Sequence, residues 1–180
     1  MNIGIVGSGN MGASMGKIWA AKGHKVLFSF STDQEKLRAV AAAAGAAVPE
    51  ALKAAGDCGG KTLFSCVNCL KPDFSGLEGG TSTSAAEEIV KLAHGAKMVE
   101  AIPPMAQILA ADSRRLDGRQ ISAFDCGNDP AAKTSVASLL PDLDLDPVDA
   151  GPLTSARYIE PAGCSAFRWP MAWAWDRSWR

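Results

Sequence analysis

No stretch of the 180-residue chain stays apolar for the length of a bilayer span, and no charge of one sign dominates. Lys and Arg number 18 against 19 Asp and Glu, a net charge of -1. The first absence excludes an apolar membrane-crossing helix. The second removes the electrostatic footprint of a nucleic-acid or anionic-membrane binder. Met1 runs straight into a β-type segment without a basic region and short apolar core, so no secretory leader is expected and the expected location is cytoplasmic. The five Cys, at Cys58, Cys66, Cys69, Cys126 and Cys164, are odd in number and scattered, which suits reduced thiols better than a disulfide framework. No Ser-His-Asp arrangement and no carboxylate pair is visible. The 47% of hydrophobic residues still suffices for a real core, in one domain or one domain with a small appendage.

The informative stretch is the first one. Asn2-Ile3-Gly4-Ile5-Val6 opens into Gly7-Ser8-Gly9-Asn10-Met11-Gly12, followed by a helix-compatible segment, Ala13 to Lys22, closed by Gly23 and His24. Strand, G-x-G-x-x-G turn and helix make a dinucleotide-binding unit. Gly7 makes the tight turn, Gly9 lets backbone amides approach a pyrophosphate, and Gly12 lets the helix lie close to the strand. The phosphates then sit on the helix N-terminus, where free N–H groups and the helix dipole favour an anion. Lys25 to Phe30 reads as the second strand. It ends Ser29-Phe30-Ser31-Thr32 with Lys36 and Arg38 a turn further on, a hydroxyl and basic set that leans towards the 2′-phosphate of NADP. Asp33 lies near the spacing of an NAD-type acid, so NAD stays open. Thr32-Asp33-Gln34-Glu35 also reads as a capping box, with Lys36 a solvated helix residue.

Beyond this unit the alternation falters and then resumes. A helix over about 33–44 stops at Gly45; Ala46-Ala47-Val48 is too short and small for a strand, and Pro49 to Ala55 already looks helical. The next strand is Thr62 to Val67. Ser84-Ala85-Ala86-Glu87 is a capping box opening a helix to about His94, with Gly95 as the stop. A strand follows over Lys97 to Ile102, then a helix from Met105 to about Arg115, and Asp117-Gly118 turns the chain into a strand over Gln120 to Cys126. Asp129 as N-cap with Pro130 at the first position starts a helix to about Leu140. Asp146 to Ala150 reads as the last strand and Leu153 to Glu160 as the last helix. The expected fold is α/β: a Rossmann-like, doubly wound, mostly parallel sheet shortened by one or two strands. It occupies residues 1–161 and leaves 162–180 as a Trp/Arg-rich tail. Four of the five Trp lie in that tail (Trp169, Trp173, Trp175 and Trp179), where packing against a partner is a better reading than base stacking in a chain of balanced charge.

Cys66-Val67-Asn68-Cys69 has C-x-x-C spacing, but it closes a strand where a thioredoxin-type motif opens a helix. Cys58 and two distant His residues do not supply the remaining zinc ligands, so ordinary buried thiols and no metal are expected. His24 and His94 each follow a helix and fit C-terminal positions where the dipole welcomes positive charge.

The opening segment Asn2 to Gly12, the segment Lys71-Pro72-Asp73-Phe74-Ser75-Gly76-Leu77, and the run Asp149-Ala150-Gly151-Pro152-Leu153 through Ala156-Arg157-Tyr158-Ile159-Glu160-Pro161 together resemble the deazaflavin-dependent NADP oxidoreductases. The resemblance spans most of residues 1–161. It implies hydride transfer between NADP(H) and a second planar carrier, a deazaflavin or flavin acceptor, usually in a homodimer. By position, Gly7, Ser8, Gly9, Asn10, Met11 and Gly12 would hold the pyrophosphate, Ser31 and Thr32 the 2′-phosphate, and Val67-Asn68 would close a strand near the nicotinamide ribose. The cofactors carry the chemistry, and no acid/base residue is nominated.

Three departures stand against the family pattern. Relatives place an Arg at the position of Thr32. They also have two strands near residues 45–49 that this chain lacks, the second of which pairs with the first strand of the fold. Either the strand over 62–67 moves into that place or a central gap with unpaired backbone remains. The tail replaces an apolar C-terminal helix, which leaves open two other readings: a nucleotide-binding protein without catalysis, and an interaction protein acting through the tail. A hydroxyl at Thr32 cannot give the bidentate contact of a guanidinium. Thr32→Arg is therefore expected to tighten NADPH relative to NADH by about 1.5–3 kcal/mol, read by calorimetric titration; no gain would put the 2′-phosphate elsewhere.

Overall fold

The structure, a computed structural model, describes residues 1–6, 10–29, 58–67, 82–102, 109, 115–116 and 118–162. The opening unit forms as its sequence predicts. Strand β1 (Asn2–Val6) leads to helix α1 (Asn10–Ala21), and β2 (Lys25–Ser29) lies parallel to β1 with Ile3 opposite Val26 and Ile5 opposite Phe28. Gly23, at φ +87°, takes the left-handed turn between helix and strand. Helix and sheet approach closely at Gly16, one turn beyond Gly12. A methyl group there would sit 2.3 Å from Phe28 Cζ and 2.7 Å from Ile5 Cδ1.

The second half is built from β3 (Thr62–Ser65), α2 (Ala85–Leu92), β4 (Lys97–Ile102), β5 (Arg115–Leu116), β6 (Arg119–Gly127), α3 (Pro130–Ala137), a 3₁₀ turn over Pro141–Leu143, β7 (Leu145–Asp149), a 3₁₀ turn over Leu153–Ser155 and α4 (156–162). Of the three N-caps read from the sequence, those at Ser84 and Asp129 are made, and the one at Thr32 lies outside the described residues. The Ser84 hydroxyl accepts the Glu87 N–H at 3.1 Å, and an Asp129 carboxylate oxygen accepts the Ala132 N–H at 2.8 Å. The sheet is less uniformly parallel than expected. β3 and β4 run parallel, as do β6 and β7, but β6 is antiparallel to both β4 and β5. Arg115, expected at the end of a helix, instead pairs with Gln120 across a hairpin whose turn residue Gly118 has φ +75°. The helices expected over 33–44 and 49–55, most of the one over 105–115, and the tail from residue 163 lie outside the described residues.

The Asp149 to Pro161 run packs as a clasp. The Gly151 N–H donates to Asp149 Oδ1 at 2.7 Å, Lys133 Nζ donates to the same oxygen, and the Leu153 N–H donates to Asn128 Oδ1 at 3.0 Å. Arg157 makes two bonds to Glu87, at 2.8 and 2.7 Å, and the buried Glu160 carboxylate accepts the N–H groups of Ala85 and Ala86 at 2.9 and 3.1 Å. An anion on the first turn of α2 is stabilised by the free amides and dipole there. The clasp thereby fixes α4 against α2 over a small core of Ala86, Met98, Cys126, Leu153 and Ala156.

On the opposite face, Ile5, Met15, Trp19, Phe28, Leu139, Leu140, Leu143 and Leu145 form the larger core. Gly16→Ala tests how closely α1 sits on it. Overpacking against the fully buried Phe28 ring outweighs the gain of about 1 kcal/mol in helix propensity, so a net loss of about 1–2 kcal/mol in urea unfolding is expected. A gain in stability would mean the close approach does not exist.

Candidate dinucleotide site

Among the described residues the sheet is in two pieces: β1–β2, and a larger one that begins with β3 and continues through β4 and β6. The strand over 62–67 therefore does not pair with β1, and among the described residues a gap lies between them. It forms a cavity of about 570 Å3 between β1 and β3. One end of it lies at the carboxyl end of β1, where Val6 is 64% exposed, and the lining there includes Asn10 and Gly12 of α1 and Val67 after β3. Met11, Met15, Trp19, Phe64, Val136 and Leu139 are among its apolar lining. No Asp, Glu, His, Lys or Arg side chain is among the described residues that line it.

Four of the residues nominated for the cofactor, Asn10, Met11, Gly12 and Val67, are thus brought to one cavity. Gly7, Ser8, Gly9, Ser31, Thr32, Lys36 and Asn68 lie outside the described residues. The described part of the site fits a dinucleotide. The N-terminus of the 12-residue α1 follows directly on the glycine loop, carries no acidic side chain in its first turn, and so keeps its amides and positive dipole end for an anion. Val67 donates its N–H to the Ser65 hydroxyl at 3.4 Å, which turns the backbone out of β3 at the mouth.

Thiol chemistry finds no support. Burial, with the Glu100 carboxyl adding to it, pushes the Cys66 thiol up to about 12, and burial likewise pushes Cys126 up to about 12. Neither is a thiolate at neutral pH. Cys69 lies outside the described residues, and no cluster of His, Cys, Asp and Glu suited to a metal occurs among those described. His24 is structural: its Nδ1 accepts from the Met1 ammonium at 2.9 Å and its Nε2 donates to Asp142 at 2.8 Å. His94 is exposed in the turn after α2.

The sequence reading missed Glu100. It lies on β4 directly across from Ser65 and Cys126, is fully buried, and neither carboxyl oxygen has a hydrogen-bond partner. Burial pushes its carboxyl up to about 8; the nearby Ser65 hydroxyl offsets this in part and the charge of Glu160 adds to it. The signal was a lone acid inside Met98-Val99-Glu100-Ala101-Ile102, but only the helices covering both faces of β4 turn that acid into a buried one.

The chain matches the family model described as NADP oxidoreductase, coenzyme F(420)-dependent, over residues 2–109, more than half its length. A protein from Arthrobacter proposed to be an F(420)-dependent NADP reductase is 26% identical, with a TM-score of 0.77 over 96% of this chain and 94% of that one. A hypothetical protein from Sinorhizobium meliloti is 25% identical, with a TM-score of 0.68 over 86% of each. A reductive aminase from Aspergillus terreus shares the fold at 20% identity, with a TM-score of 0.60 over 95% of this chain and 61% of that one. No curated relative matches the sequence.

Glu100 makes stability depend on pH in a particular direction. Its carboxyl is neutral in the folded chain up to about pH 8 but ionises near 4.5 when unfolded. The unfolded state therefore holds fewer protons between those values, and stability falls as pH rises from about 5 to 8, by on the order of 3–5 kcal/mol in total. Glu100→Met is expected to abolish this decline and to raise the urea midpoint at pH 8. An equal decline in the variant would assign it to another group. The match to the family model over residues 2–109 establishes that the chain belongs to the coenzyme F(420)-dependent NADP oxidoreductase family.

Proposed function

We propose that this protein binds NADPH at the carboxyl end of β1 and passes a hydride from it to a deazaflavin- or flavin-like acceptor, acting as a homodimer in the cytoplasm. The observation that carries the reading is the union of a glycine loop, an acid-free helix N-terminus and an uncharged cavity at one end of the sheet, in a chain of this family. Gly7 to Gly12 take the pyrophosphate, Ser31, Thr32 and Lys36 the 2′-phosphate, and Val67-Asn68 border the nicotinamide ribose. The nicotinamide supplies a hydride, two electrons with one proton, and the acceptor takes its second proton from solvent. The protein's part is placement: amides on the phosphates fix one ring system, and apolar walls keep water from the path between the two rings. No lining side chain has to give or take a proton.

The open gap beside β1 favours a second reading, a protein that binds the dinucleotide without turning it over. Calorimetric titration with NADPH and NADH, followed by spectroscopic assay of NADPH oxidation with a deazaflavin and a flavin acceptor, separates the two. Binding with oxidation supports the enzyme; binding without oxidation by either acceptor supports the second reading. Gly9→Val is expected to abolish NADPH binding while leaving the far-ultraviolet circular dichroism unchanged, because a side chain there blocks backbone approach to the pyrophosphate. Retained affinity would sink the assignment of the loop.

A further inference from the structure

We propose that Glu100 is a positioning residue for the dinucleotide site: through the Ser65 hydroxyl it governs how firmly the Val67 N–H is held where the chain leaves β3. This role rests on the reading of the cavity as the cofactor's, since Val67 lines that cavity and Glu100 does not. Ser65 and Glu100 are partners in the parallel β3–β4 ladder, so their side chains stand side by side on one face of the sheet. Both residues are buried. Burial raises the Glu100 carboxyl and the nearby Ser65 hydroxyl offsets this in part, yet neither carboxyl oxygen has a hydrogen-bond partner. The Ser65 oxygen instead accepts the Val67 N–H at 3.4 Å, a long and therefore weak bond. One hydroxyl thus stands between a backbone amide at the cavity mouth and a buried acid with nothing bonded to it.

The charge on Glu100 decides which of the two the hydroxyl serves. While the carboxyl is neutral it offers only an ordinary hydrogen bond, and the hydroxyl stays on Val67. Once ionised it is a buried anion without a donor, and a charge-assisted hydrogen bond is roughly twice as strong as a neutral one. The Ser65 hydroxyl then turns to Glu100, the Val67 N–H is released, and the turn out of β3 loosens. The other groups around Glu100 do not take the place of Ser65. Cys66, beyond β3, and Cys126, opposite on β6, are thiols pushed up to about 12, and the Cys126 Sγ already donates to the Leu153 carbonyl at 3.8 Å. The charge of Glu160 on α4 opposes ionisation, while Glu87 of α2 and Arg157 of α4 are bonded to each other. Because the neutral form is the one that holds Val67, NADPH affinity falls as pH rises through about 8.

The test compares the full wild-type chain with Glu100→Gln and Ser65→Ala. Between about pH 6 and 9.5 the Val67 amide and the Glu100 side-chain carbon are followed by NMR without cofactor, and NADPH affinity by calorimetry. In the wild type the Val67 amide is expected to titrate in step with Glu100, with a midpoint of about 8, and to lose that titration in both variants. NADPH affinity is expected to fall about threefold or more across the range in the wild type, the loss of one weak hydrogen bond. It stays at the low-pH level in Glu100→Gln and at the high-pH level in Ser65→Ala. A merely structural effect of the buried acid would still move Val67 in Ser65→Ala, where Glu100 goes on titrating, and that result would overturn the proposal. Titration of Val67 in Glu100→Gln would overturn it in favour of another group, and so would a wild-type amide that stays still while Glu100 titrates. Movement of Val67 with unchanged NADPH affinity would overturn the positioning role. No NADPH binding at any pH, with Val67 moving as expected, would overturn the cofactor reading and leave the link from Glu100 to Val67 standing.

Discussion

The two pieces of the sheet share no ladder among the described residues, so their union rests on side chains, and Trp19 is the chief of these. Its indole is 2% exposed, lies with its ring centroid 6.1 Å from that of Phe64 on β3, and donates its Nε1–H to the Leu139 carbonyl at 3.2 Å. One residue of α1 therefore touches the β3 edge on one side and the end of α3 on the other. Another tie is the His24–Asp142 hydrogen bond, partly exposed at the far end of α1. Magnitudes decide between them. A buried aromatic removed from a core costs about 3–5 kcal/mol, whereas a partly exposed hydrogen bond contributes about 1 kcal/mol. The indole contributes more than this hydrogen bond to holding the halves together.

That arrangement explains how two pieces of sheet with no ladder between them among the described residues are still held together. β1, β2 and α1 pack closely on one another at Gly16, against Phe28 and Ile5. The clasp of Arg157 on Glu87 and Glu160 on the first turn of α2 does the same for the other half. The larger core runs through both halves, from Ile5, Met15 and Trp19 to Leu139, Leu143 and Leu145, and the cavity falls along their seam. Hydrophobic residues cover one face of the seam, so what remains exposed there is mainly backbone polarity, which water can satisfy.

Much of this was legible because its causes are local. The N-caps at Ser84 and Asp129, the strand over Lys97 to Ile102 and the left-handed turn glycines at 23 and 95 depend on neighbours within four residues, and each stands where its residues placed it. Asn10, Met11, Gly12 and Val67, which the sequence nominated together, line one cavity. The antiparallel run of β6 was not legible, because strand direction depends on how the connection over 103–118 crosses the sheet. The hairpin pairing Arg115 with Gln120 was half legible: Asp117-Gly118 announced the turn, but two residues are too few to announce a strand. Gly16 was missed because it lies outside the fingerprint, one turn beyond Gly12 in the same helix.

The order of β3 was left open by the sequence between two outcomes, and the physical reason it takes the edge position lies in its own side chains. Phe64 is drawn to the α1 and α3 side, against Trp19 and the Val99 and Val136 cluster, while Ser65 points to the other face beside Glu100. Sliding β3 across to β1 would strip Phe64 from that cluster and uncover the carboxyl of Glu100, whose neutral state depends on burial. It would exchange packed apolar area and a hidden acid for ladder bonds that each contribute about 1 kcal/mol net. A ladder of four residues cannot offset both losses, so β3 stays on β4 and, among the described residues, does not pair with β1.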